Sequence, residues 1–383
     1  MAEILYIGPV SGYVSPNVVS KGILRALIMS GFHLNVADTT WDGSLNHSDP
    51  FFEEHENCLR WLQPNDVANL VNSGRTREEY GSICIAINPS WHLFEIKKQG
   101  IKIAGMHVGD VDRIPNQWKI AMEQEDVVLV PSTWGETVVR NSNVKTSVVV
   151  INHGIGGAFS NVRTRGDFNY NDATVPFTLL HTCASVFYPE RKATPQVVSA
   201  FHKLVKDGHN VQLNLIFGIM TKQLKKIIDG IDAEVAKKIE IKFFESNRPQ
   251  EMIAEEYGNC HALLAPSRAE GFGMMPLEAR ACGIPVIQTM CTGHQDHFRP
   301  NEDYTSWGIV KVPHGAMTKA WGRQFAQAPE VKEEDIYASV IRCMKNWKEL
   351  KKNALAKSSQ VREDWTWERV TRPLAEWIRE NSS

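Results

Sequence analysis

Short apolar runs and helical periods alternate along most of the chain. EILYIG (3–8) reads as a strand, and the loop that follows, GPVSGYVSPN, carries Gly8 and Gly12. VVSKGILRALIMSG repeats apolar residues at helical spacing and stops at Gly31, before a second strand, HLNVAD. Strand, glycine-bearing loop, helix and strand open a parallel doubly wound sheet. The alternation continues through the apolar runs SICIAIN, IKIAGMH, DVVLVPS and VKTSVVVINHGIG. Between them a helix or turn is expected over SWHLFEIKKQG, and helices behind Pro115 and over WGETVVRNS. Residues 41–80 break the rhythm. They are polar and aromatic, and read as an insertion with one helix, an acceptor-side flap.

Residues 156–175 are rich in Gly, Asn, Asp and Ser and have the composition of a linker. The pattern then restarts with the strands FTLLHTCAS, VQLNLIFG, IEIKFFES and HALLAPS, separated by three helical stretches. From about residue 333 the tail is helical, with Trp347, Trp365, Trp367 and Trp377 as anchors. Two βα arrays imply an α/β protein of two doubly wound Rossmann-like domains facing a cleft. One spans 1–155 and the other 175–360.

Composition narrows the class. With 383 residues, 43% of them hydrophobic, two domain cores are the natural expectation. A formal net charge of −2 gives no global basic field for nucleic acid. Seven cysteines without a CxxC pair suggest reduced thiols, no apolar run reaches the roughly 20 residues of a membrane span, and the N-terminus reads as a strand. A cytoplasmic location follows as an expectation.

The chemistry concentrates in residues 265–289, APSRAEGFGMMPLEARACGIPVIQT. A strand ends at Ala265, a glycine turn follows, and Pro276 is expected to open a helix carrying Glu278 in its first turn, closed by Gly283 and Pro285. Backbone N–H groups of such a turn face an anion. Glu270 and Glu278 bracket it, placed to bind hydroxyls. Upstream, Arg191 and Lys192 stand between a strand and a helix, where cations stabilise a departing pyrophosphate.

Glu270-GFGMMPL-Glu278, with SVFYPERKATPQVVSAF upstream, DRIPNQW, DVVLVPS and INHGIG in the first half and the closing WTWERVTRPLAEWI, resembles retaining glycosyltransferases of the GT-B fold, especially family 4. The resemblance implies transfer of a sugar from a nucleotide-sugar donor to a hydroxyl acceptor with retention of configuration. It also implies a terminal helix, about 364–383, that crosses back onto the first domain. Glu270 would lie beside the sugar and Glu278 would hold the ribose. Gly271, Phe272, Gly273, Met274 and Met275 would bind sugar hydroxyls and phosphate, with Gly12 on the donor side. Beside Glu270, the catalytic candidates are His107, for sugar or acceptor contact, and Asp110, for acceptor contact or as base, with Asn152 and His153 at the hinge or acceptor side. Ala193 departs from the family's usual glycine.

No cofactor is implied, because the nucleotide sugar is a substrate and Arg191 and Lys192 cover the leaving-group charge; no metal is expected. The DVD at 110–112 is too short a pattern to assign a metal, and CTGHQDHF, with His294, Asp296 and His297, lacks further ligands and reads as a loop flanking the donor cleft. The acceptor stays open among a glycan, a small molecule, a protein and a modified DNA base. Two rivals remain: an epimerase acting on a nucleotide sugar, and a binding module that no longer turns over.

Overall fold

The computed structural model describes residues 3–12, 15–40, 49–63, 66, 76–87, 93–109, 112–114, 116–160, 174–183, 191–218, 220–244, 249–297, 311–313 and 327–382. They fall into two compact units. The first comprises Met1–Gly109, Arg113–Gly154 and Trp365–Ser383, and the second is built on Ile155–Asp364.

The first unit holds a seven-stranded sheet of β1 (Glu3–Gly8), β2 (His33–Asp38), β3 (Leu59–Trp61), β4 (Ile83–Ile87), β5 (Lys102–Met106), β6 (Val127–Val130) and β7 (Val148–Val150). Their order is β3-β2-β1-β4-β5-β6-β7, and every neighbouring pair is parallel. β4 and β6 are buried along their whole length, which is why they read as unbroken apolar runs. β3 lies in the stretch expected to be an insertion. Three residues are too few to show a period, yet Leu59 pairs with Leu34 and extends the sheet. The residues at 41–48, 64–65 and 67–75, also read as part of that insertion, lie outside the described residues.

At the carboxyl end of β1 the loop through Gly12 (φ +96°) is tied to Asp38 at the end of β2. The Asp38 carboxylate accepts from the backbone N–H of Val10 and Ser11, both at 2.9 Å, and from the hydroxyls of Ser11 and Thr40. Burial alone would raise its pKa; the hydroxyl and amide donors outweigh that and hold it below the usual value. The helix Ser15–Met29 then runs to Gly31, whose φ of +85° closes it. Phe32 N–H bonds back to Leu27 O and Gly31 N–H to Ile28 O, the paired bonds of a Schellman cap. The chain's last helix, Trp367–Asn381, packs on this helix, as the family resemblance implied. Its Arg379 donates to Ser30 O at 3.2 Å and stacks over Phe32.

The second unit holds a parallel sheet of β8 (Phe177–Cys183), β9 (Val211–Phe217), β10 (Ile239–Phe243), β11 (Ala262–Ala265) and β12 (Val286–Gln288), ordered β10-β9-β8-β11-β12. Its core gathers Phe177, Phe201, Leu213, Phe217 and Trp347, the last from the 32-residue helix Glu333–Asp364. The Trp347 indole donates to His261 O at 3.0 Å. TKQLKKIIDGIDAEVAKK, expected as one helix, forms two, Lys222–Asp229 and Ala233–Ala236. Gly230 separates them, and Thr221 and Asp232 cap each one. Its lysines form exposed pairs such as Lys225 with Asp229, the solvated face expected from their interleaving with acids. A short antiparallel pair joins β13 (Lys311–Pro313) to β14 (Gln327–Pro329). No disulfide joins any of the seven cysteines. Among the described residues no helix is long and apolar enough to cross a membrane.

Candidate active site

In the second sheet the strand order reverses between β8 and β11, and loops leaving the carboxyl ends of such strands form the binding crevice of doubly wound folds. Arg191 and Lys192 follow β8, and the turn through Glu270 follows β11. The two loops are tied together, since Arg268 N–H donates to Arg191 O at 2.8 Å. The Arg191 guanidinium donates to Ala269 O at 2.8 Å and to Glu270 Oε2 at 3.2 Å, while Lys192 Nζ donates to Glu270 Oε1. Burial alone would raise the Glu270 pKa. Lys192 and Arg191, with His294 nearby, reverse that and hold the carboxyl well below the usual carboxylate range.

Ala193 caps the next helix, Thr194–Lys206, from a left-handed conformation with φ +55° and ψ +29°. The residue that replaces the family's glycine therefore keeps the backbone shape for which a glycine is suited.

The turn Gly271–Gly273 leads into the helix Met274–Ala281, with Gly273 at φ +88° as its cap. The helix thus begins two residues before Pro276, because the left-handed glycine, and not the proline, sets its start. Glu278 stands in the second turn and not the first, which removes a simple helix-dipole role for it. It is buried, and its Oε2 accepts from the Tyr257 phenol at 3.0 Å. Desolvation pushes its pKa up to about 7, with the phenol pulling in the opposite direction. Tyr257, wholly buried on the helix Gln250–Gly258, carried no sequence signal for this contact. The helix closes through Gly283 in a second Schellman cap, Ile284 N–H to Ala279 O and Gly283 N–H to Arg280 O.

The structure therefore brings Arg191, Lys192 and Glu270 into direct contact and sets Gly271, Phe272, Gly273, Met274, Met275 and Glu278 on the turn and helix that follow. Met275 is anchored to β8 through the Thr182 hydroxyl, which donates to its sulfur. His294 and His297, expected in a flanking loop, lie in a buried 3₁₀ turn beneath this same turn.

The first-half candidates are distributed differently. His107 follows β5 and is buried, with Nε2 at 2.8 Å from Glu125 Oε1. Gly105 makes room for that carboxylate: a Cβ there would lie 2.2 Å from Glu125 Cδ. The Asn152 amide donates to Pro131 O at 2.9 Å, and His153 packs beside Trp367, where burial lowers its pKa to about 3. Asp110 lies outside the described residues, as do residues 184–190 of the segment preceding Arg191.

Two parallel doubly wound units, with a closing helix returned to the first, are the GT-B architecture. Residues 183–321, within the second unit, match the family model of glycosyl transferases group 1, and Arg191, Lys192, Glu270 and Glu278 all fall within the match. A 50-residue stretch is 40% identical to a D-inositol 3-phosphate glycosyltransferase of Frankia alni, covering 13% of this chain and 12% of that relative. Among solved structures, sucrose-phosphate synthase from Thermosynechococcus elongatus superposes with a TM-score of 0.73 at 17% identity over 99% of both chains. HepE from Anabaena, in complex with UDP and glucose, gives 0.67 at 15% identity over 99% of this chain and 100% of that one. WaaG, a glycosyltransferase involved in lipopolysaccharide biosynthesis, gives 0.64 at 12% over 98% and 99%.

Proposed function

We propose that this protein is a retaining glycosyltransferase that moves a sugar from a nucleotide-sugar donor to a hydroxyl acceptor without a metal. The observation that carries this is the contact of Arg191 and Lys192 with Glu270 beside the glycine turn at a sheet's switch point. The nucleotide complexes reported for HepE support a uridine nucleotide as the first donor to test.

In this reading the donor diphosphate takes Arg191 and Lys192 as partners, and turn N–H groups between Gly271 and Met275 add hydrogen bonds. Electrostatic stabilisation is worth most where charge grows, here on the departing diphosphate. The bond from the sugar's anomeric carbon to the diphosphate oxygen breaks, and a bond to the acceptor oxygen forms on the same face. The acceptor proton passes to the leaving phosphate oxygen. Glu270, released from its cations, lies beside the sugar and steadies the positive charge that develops there. Two side-chain cations already supply what a divalent ion would bring to the leaving group.

The test is transfer from UDP-, GDP-, ADP- and CMP-sugars, with proton NMR reading the anomeric configuration of the product. Arg191→Ala is expected to lower kcat by about 10²–10³-fold, the scale of losing one transition-state donor. Wild-type rates in Arg191→Ala, an inverted product, or activity abolished by a chelator would each overturn the corresponding part of the proposal.

A further inference from the structure

The segment Cys291–His297, whose histidines resemble half of a metal site, is moulded against the glycine turn. Glu270 N–H donates to Thr292 Oγ1 at 2.9 Å, and Gly293 N–H returns a bond to Glu270 O at 2.8 Å. Thr292 adopts φ +50° to make this possible. A Cβ on Gly293 would stand 2.3 Å from Gly271 O, and a Cβ on Gly273 would stand 2.1 Å from the His294 ring. The turn and the segment therefore approach too closely for a side chain at Gly273 or Gly293, which a ring would block at the first and backbone at the second.

His297 completes the contact. Its Nε2 lies 2.9 Å from Phe272 O and its Nδ1 lies 3.1 Å from Arg280 Nη1. These two partners fix the ring's protonation without further information. A guanidinium has no acceptor, so Nδ1 must accept; a carbonyl has no donor, so Nε2 must carry the hydrogen. The ring is the neutral Nε2–H tautomer, and a chain of hydrogen bonds runs from Arg280 through His297 to the peptide between Phe272 and Gly273. All three side chains are buried.

We propose that His297 is a positioning residue for the donor turn, fixing the peptide plane at Phe272–Gly273 through its bond to the Phe272 carbonyl. The inference rests on the functional reading above in taking that turn as the donor's phosphate and sugar contact. His297 itself touches no substrate. It acts by holding one carbonyl away from the site, so that the adjoining N–H groups stay aimed into it.

Three measurements test this, two of them without any donor. Nitrogen-15 NMR of the imidazole at neutral pH should show the Nε2–H tautomer; an Nδ1–H tautomer overturns the proposal. His297→Gln places an amide donor near the Nε2 position, whereas His297→Phe keeps the ring and removes the donor. In the free protein, amide hydrogen exchange over residues 271–275 should be faster in His297→Phe by about tenfold and near wild type in His297→Gln, the effect of one buried hydrogen bond. With a nucleotide sugar that the wild type uses, KM should rise about tenfold in His297→Phe alone, with kcat less affected. Equal exchange in the two variants overturns the proposal, whatever their melting temperatures. If the wild type uses none of the four nucleotide-sugar classes, the functional reading fails, and the exchange comparison still decides the role of His297.

Discussion

The Trp367 ring occupies the space that a side chain at position 22 would need: a Cβ on Gly22 would lie 2.1 Å from two ring atoms. A glycine inside a helix normally weakens it by about 1 kcal/mol relative to alanine. Here it is the condition for the final helix to dock. Gly22→Ala is expected to lower unfolding free energy by about 2–3 kcal/mol despite the better helix propensity, because overpacking a close contact outweighs it. Gly157, which has open space around its missing Cβ, is the control, and Gly157→Ala should be nearly neutral. Denaturant titrations of both variants check this.

Glu270 and Glu278 differ in charge state because their neighbours differ. Two cations keep Glu270 ionised, whereas Glu278, held by a phenol, titrates at about 7. If the ionised Glu278 grips a donor hydroxyl, kcat/KM should rise with pH across neutrality. Tyr257→Phe removes a donor that favours the charged form, so the midpoint should move up by about 0.5–1 pH unit. Glu278→Gln should remove the rise altogether. A pH profile unchanged in both variants refutes this assignment.

Ala193 is balanced between two effects. Its left-handed backbone costs about 1–2 kcal/mol, which glycine would relieve, but the methyl group is fully buried and contributes about 1 kcal/mol. Ala193→Gly should therefore change stability by less than about 1 kcal/mol. Ala193→Val should cost about 3 kcal/mol, since a β-branched side chain tolerates neither the conformation nor the space. Melting curves of the pair decide the point.

Acid should destabilise the protein before its carboxylates titrate. Burial lowers the pKa of His181, His261 and His294 to about 4 each and that of His153 to about 3, from an ordinary 6.5. Between 6.5 and 4 the unfolded chain binds these protons and the folded one does not, so stability falls as pH falls. The slope is about 1.4 kcal/mol per pH unit for each such histidine. Glu278, with a raised pKa, acts in the opposite sense between about 7 and 4.5 but is a single group. Chemical denaturation at pH 7.5 and 5.5 should show the loss; equal stabilities would contradict the buried neutral state.

The fold was legible because parallel strands buried on both faces leave continuous apolar runs, and because Gly31, Gly208 and Gly283 stop helices where their positive φ permits. Arg191, Lys192 and Glu270 stand out by their place in the loops that follow β8 and β11 and by the family resemblance. What escaped was contact without pattern. Tyr257 meets Glu278 from 21 residues away, and Thr292 and His297 meet the glycine turn from 22 and 25. No spacing rule links such partners, and only packing brings them together. Asp38 left a faint signal, an acid ending the second strand beyond a glycine loop, which could have been followed to its latch on Val10 and Ser11.

The clasp of Glu270 by Arg191 and Lys192 makes the crevice its own competitor. An arriving anion does not meet two unsatisfied cations; it must exchange for a carboxylate already seated between them. Occupancy is then set by a difference between two ionic partners, which favours a polyanion that brings hydroxyls to replace what Glu270 gives up, and disfavours small monovalent anions. On this view Glu270→Gln would strengthen the hold on simple anions such as phosphate even as it removes transfer, so that retention and turnover separate in a single substitution.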